Sequence, residues 1–233
     1  MENITHRIED YINYQNESLW KELNSLYNIE LYYEPSEFSW MVEINGKDVK
    51  IVCDDLKVNI ASFTHELLHV KLDQQGMTNF DQLDEYIANN PIFNNFIFRG
   101  LIYKVYNFHS HKKMFPDFIS MGFDDKDFVS AREKFTFYEN IRLRVFPRIK
   151  LLKTFGIEEF LGKYFALKND FISSNGDRTQ RNLRKLRRVN RELFDIAESF
   201  DSDWELRNDL KYLASLELFS EKYQPYFIKT YGR

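Results

Sequence analysis

The chain has 233 residues, 43% hydrophobic and 17% aromatic, enough apolar surface for a sizeable core and too much for an intrinsically disordered chain. Its 32 Lys and Arg against 36 Asp and Glu leave a formal charge of −4, so no global field argues for nucleic acid or a membrane surface, and any such affinity has to be local. The single cysteine, Cys53, excludes an internal disulfide framework and a cysteine-rich metal site.

The stretch from Met1 to Asp10 is mostly polar, without the apolar run of a secretory signal, and no later run approaches the roughly 18 apolar residues of a membrane span. The expectation is a cytoplasmic protein with no membrane partner. Eight Gly and five Pro leave no low-complexity linker.

In chain order, Leu19, Trp20, Leu23 and Leu26 recur at helical spacing and predict a helix over Ser18–Tyr27. Ile29–Tyr33 has strand composition. Phe38–Ile44 and Val49–Cys53 flank Asn45-Gly46, a pair that tolerates the positive φ of a type I′ turn and so predicts a hairpin. Asp54 and Asp55 then offer capping carboxylates to a helix over Leu56–Gln74, its apolar face carried by Val58, Ala61, Leu68 and Leu72, with Gly76 as its stop. Beyond Asp81 the pattern is almost wholly helical: Asp81–Asn89, Pro91 to about His111, Pro116–Met121, Asp127–Phe146, Leu151 to about Ser173, Thr179–Phe200 and Trp204–Lys222. The fold class expected is α+β and predominantly helical: a helix, a small sheet of about three strands and a second helix, then a helical C-terminal part. Residues 1–125 are read as the core and 126–233 as a helical extension packed on it as one unit.

The second of these helices carries His65-Glu66-Leu67-Leu68-His69. Histidines at i and i+4 lie one above the other on a helix face, where both imidazoles reach a single metal ion. Glu66 follows the first by one position, so it contacts a metal-bound water without joining the coordination sphere, which is the placement a general base needs. Zinc suits such a donor set, acidifying its water and polarising a substrate carbonyl. The alternative is that the histidines satisfy core hydrogen bonds and Glu66 is an ordinary helix acid.

On this motif the sequence resembles the zincin metallopeptidases, in which an HExxH helix packs beneath a small sheet whose edge strand aligns the peptide. The resemblance spans roughly Leu19 to Gly76, and its layout is closest to the compact cytoplasmic zincins of the IrrE and ImmA type, which cleave regulatory proteins. It implies a zinc-dependent peptidase acting on a protein or peptide, with His65 and His69 as ligands and Glu66 as base. Neither the metzincin histidine extension nor the thermolysin-like Asn-Glu signature follows the motif.

A catalytic zinc has three protein ligands and one open position. His111, preferred, and His109 stand at the end of a predicted helix limited by Pro116, with Asn107 four residues before His111 as an orienting partner. Glu85 is the carboxylate rival, although Asp81, Asp84 and Glu85 at a helix start also suit its macrodipole. Elsewhere, Arg178–Arg191 holds seven basic residues in fourteen. It reads first as a solvated face of an amphipathic helix, paired with acids between Glu192 and Glu205. The alternative is contact with nucleic acid or an acidic protein, which a catalytically silent, zincin-like regulatory or binding protein would use.

Overall fold

The computed structural model describes residues 7–34, 40–53, 57–94, 96–128, 153–168 and 176–231. Among them are eight α-helices and one three-stranded mixed sheet, the predominantly helical α+β class that the sequence pattern predicts. The chain divides into two units: one holds the described residues of 1–75 and 112–129, the other those of 76–111 and 130–233.

The first unit begins with a 3₁₀ turn, Ile8–Tyr11, and helix α1, Glu17–Asn24, which turns Leu19 and Leu23 inward at their four-residue spacing. Strands β1 (Asn28–Tyr33), β2 (Trp40–Asn45) and β3 (Asp48–Cys53) follow. β3 lies in the middle, parallel to β1 and antiparallel to β2. Its central place explains why Val49, Ile51, Val52 and Cys53 are all buried, whereas β2 alternates between exposed and partly covered residues.

The β2–β3 hairpin forms as predicted, but its turn is of another type. Asn45 pairs with Asp48, so the loop is Gly46-Lys47, and of these residues only Gly46 takes a positive φ, +61°. Glycine alone at the first central position is the type II′ pattern rather than type I′.

Helix α2 spans Ile60–Gln74 and packs against α1, β2 and β3. It starts four residues later than its apolar periodicity predicts, because Asn59 caps it by accepting a 3.0 Å hydrogen bond from the Ser62 amide. Val58 accordingly precedes the helix and is exposed, while Asp54 and Asp55 lie outside the described residues. Nine residues of α2, among them Phe63, Leu67, Leu68 and Val70, are buried, the signature of a helix covered all round. Phe63 meets Tyr11 at 5.5 Å and Trp20 at 6.1 Å between ring centroids.

The second unit contains α3 (Phe80–Asn89) and most of the long helix α4 (Phe96–Ser120), then α5 (Lys153–Lys168), α6 (Gly176–Val189), α7 (Arg191–Leu206) and α8 (Tyr212–Tyr231). Several boundaries differ from the sequence expectation. Pro116 sits inside α4 instead of limiting it. Proline removes one intrahelical hydrogen bond, and buried Met114 and Phe118 on either side, with a 2.8 Å Lys71–Asp117 ion pair, hold the helix through that position. The helix expected over Thr179–Phe200 is two: Asn190, at φ −152° and ψ 95°, leaves helical geometry and caps α7 through Leu193 N at 3.1 Å. Trp204 belongs to the end of α7, and Leu210, the one non-glycine residue of positive φ among those described (+53°), turns the chain before α8. The helix expected over Asp127–Phe146 lies outside the described residues, apart from Asp127 and Phe128. No helix among the described residues is long and apolar enough to cross a membrane.

Gly76 tests the stop of α2. Its φ is +85° and a built Cβ meets nothing within 4 Å, so substitution acts through backbone strain alone. Gly76→Ala is expected to lower the unfolding free energy by about 1 kcal/mol, and Gly76→Asn by less, since Asn tolerates the left-handed region. Urea titration of both variants measures the difference, and equal losses would contradict the strain account.

Candidate metal centre

The rise and turn of α2 bring His65 and His69 to one side of the helix, their rings 5.1 Å apart between centroids and inclined by 66°. The helix is fixed just before them. Asn16 donates its side-chain amide to Thr64 Oγ1 and to the Tyr11 carbonyl, both at 2.9 Å, and Thr64 donates to the Ile60 carbonyl at 2.7 Å. Asn16 and Thr64 are fully buried. This polar peg ties the turn before α1 to the motif helix.

His111 is the third member. It lies on α4. The donor nitrogens of His65, His69 and His111 lie within 4.8 Å of one another. Zinc bonds of roughly 2.0–2.1 Å at the tetrahedral angle set such nitrogens about 3.4 Å apart. The cluster is therefore somewhat open, and side-chain rotation on the order of 1 Å closes it. His65 and His111 are buried and His69 is half-buried. Three imidazoles with no carboxylate in the group form a neutral nitrogen donor set that suits zinc and other borderline divalent ions.

Glu66 stands beside the cluster, 6% exposed. No side-chain hydrogen bond holds its carboxyl among the described residues, and burial pushes its pKa up to about 8. Desolvation acts on His69 in the opposite sense, pushing it down to about 4 and keeping the imidazole neutral. A buried carboxyl committed to no structural partner costs free energy, and perturbed groups of this kind gather at functional sites.

The rival ligands lie elsewhere. His109 is fully buried in the second unit, its Nε2 3.3 Å from Asp201 Oδ1 and its ring stacked on Trp204 at 5.9 Å. Trp204 Nε1 donates to the His109 carbonyl at 3.1 Å, and Lys168 reaches the other Asp201 oxygen at 3.5 Å. Glu85 is exposed on α3 and outside the cluster. Asn107, the proposed orienting partner of His111, is exposed as well. Sequence reasoning missed Phe128, whose ring sits 4.8 Å from that of His65, and it missed the Asn16 peg. Neither carries a pattern that separates it from ordinary core residues.

The chain matches no family model, no curated protein and no solved structure.

The two α4 histidines should respond in opposite ways to truncation. His109→Ala leaves a cavity among aromatic rings and strands Asp201, and is expected to cost about 2–4 kcal/mol in urea unfolding. His111→Ala should spare most of that stability while weakening Co²⁺ or Zn²⁺ binding by more than the roughly 10–100-fold that loss of an outer partner costs. Metal affinity untouched by His111→Ala would remove this residue from the centre.

Proposed function

We propose that the protein is a zinc-dependent peptidase in which His65, His69 and His111 hold the ion and Glu66 is the general base. The observation that carries this reading is the pairing of a three-imidazole cluster with a buried carboxyl, one residue from His65, that has no side-chain hydrogen bond among the described residues. Zinc at such a cluster supplies Lewis acidity toward a substrate carbonyl and lowers the pKa of water toward neutrality.

The chain's own residues supply the rest. His65, His69 and His111 would hold the ion, and a zinc held by three imidazoles would have room for water or a substrate carbonyl. Glu66 takes the proton of the attacking water and returns it to the departing amine, and a nearby dication opposes the burial that holds its pKa high. Phe128 against His65 and the apolar residues of α2 keep the ring environment dry, which strengthens each electrostatic contact. The zincin likeness of the motif, in its helix–sheet–helix setting, makes a peptide or protein the substrate class. Cytoplasmic residence belongs to the same proposal, in keeping with a single, buried cysteine.

The burial of Glu66 also favours a second reading, a zincin-like centre that binds metal without turnover. The two part on one comparison. Protein purified without chelator should carry about one zinc per chain, and Glu66→Gln should keep the metal and the melting temperature while cleavage of a mixed-sequence peptide pool falls roughly 10²–10⁴-fold, the usual contribution of a general base. Metal bound by both forms with no cleavage by either would leave the silent reading. Well-folded protein devoid of metal would defeat both.

A further inference from the structure

Helix α6 presents a second feature that the metal centre does not use. Leu183 and Leu186 are buried and Asn182 nearly so, which fixes the inward side of the helix. At 100° per residue, Arg178, Arg181, Arg184, Lys185 and Arg188 then fall within an arc of about 120° on the outward side, and all five are exposed. Ten residues at 1.5 Å each spread them over about 15 Å of helix.

The acids between Glu192 and Glu205 do not neutralise this row. Asp195 takes Arg187 at 2.9 Å and Arg191 at 3.6 Å, and Arg187 also lies over the Phe194 ring at 5.5 Å. Among the described residues no carboxylate lies within ion-pair distance of the other five. Arg181 and Arg184 donate Nε to the Asp177 and Gln180 carbonyls one turn earlier, at 3.2 and 3.3 Å, which aligns these side chains along the helix. The row is confined, since the formal charge of the chain is −4 and the five cations are included in that sum.

We propose that this face of α6 binds the phosphate backbone of duplex nucleic acid. A bilayer surface would call for apolar residues beside the cations, and here the leucines point inward. Single-stranded bases would call for aromatic stacking platforms, and the arc has none. What remains is a band of five cations with the single carboxylate of Asp177 at its N-terminal end, four of the five cations being guanidinium forks that match phosphate oxygens, facing a polyanion with one charge per roughly 1.7 Å of axis. The contacts read no bases, so binding is independent of sequence. This inference stands apart from the metal centre and survives its failure.

The test is fluorescence anisotropy of the full chain with a labelled DNA duplex of arbitrary sequence, across a salt series. Five phosphate contacts at a slope of roughly −0.9 each lower affinity several hundred-fold between about 50 and 200 mM salt. The double reversal Arg184→Glu/Arg188→Glu, at exposed positions, should reduce that slope by about 2 and weaken binding at least tenfold at low salt. Arg187→Gln, which removes an already paired cation, should change neither by more than about twofold. The proposal is overturned if Arg187→Gln acts like the reversal, which would mean a bulk-charge effect. It is equally overturned if no duplex binding occurs at low salt, or if poly-glutamate or anionic phospholipid vesicles bind as tightly as the duplex and lose it in the same variant.

Discussion

Helix α2 has to be covered on every side and still carry Thr64, His65 and Glu66 inward. Burying polar groups in a close-packed interior costs about 1–3 kcal/mol for each group left without a partner. The surrounding elements are arranged around that constraint. α1 delivers Asn16 to Thr64, the strands β2 and β3 lay apolar side chains against the helix, and Phe128 closes over His65. Glu66 is buried with no side-chain hydrogen bond among the described residues, and burial pushes its pKa up.

A similar division operates on α4. His109 and His111 are two residues apart, which is 200° of helix rotation, so they face nearly opposite directions. One enters an aromatic enclosure with Asp201, Lys168 and Trp204, and the other joins His65 and His69. Both could not serve one ion from a regular helix. The helix also runs through Pro116 without ending, so the His111 backbone sits inside regular structure rather than at a fraying terminus. Sites carried on such elements hold their geometry better than sites on loops.

These features mark what a linear pattern conveys. The i, i+4 histidines, the Asn45-Gly46 hairpin and the Gly76 stop are local, each set by a few neighbouring residues and a standard backbone geometry, and each is legible. The type of the hairpin turn was not, because the choice between I′ and II′ depends on which residue closes the ladder, and Asn45 pairs with Asp48. Helix boundaries failed where tertiary contact outweighed local preference. Periodicity runs on through Asn190, yet Asn190 breaks the helix to cap α7 and donates to the Tyr226 hydroxyl at 2.7 Å, 36 residues away. Pro116 is locally a terminator, and packing on both sides of it overrides that preference. The preference for His111 over His109 rested on a nearby Asn that proves to be exposed. The real discriminator is Asp201, 92 residues from His109, and no spacing rule reaches that far.

The electrostatics of the centre follow from the same burial. Desolvation disfavours whichever form of a group is charged, so His69 loses its proton and Glu66 keeps one at neutral pH. A neutral imidazole is the form that can ligate a metal ion. Glu66 is the opposite case: its ionised form is unfavourable in a dry, uncharged pocket and becomes favourable once a positive charge is near. Burial thus keeps the His69 imidazole neutral and the Glu66 carboxyl protonated, and one dry environment accounts for both behaviours.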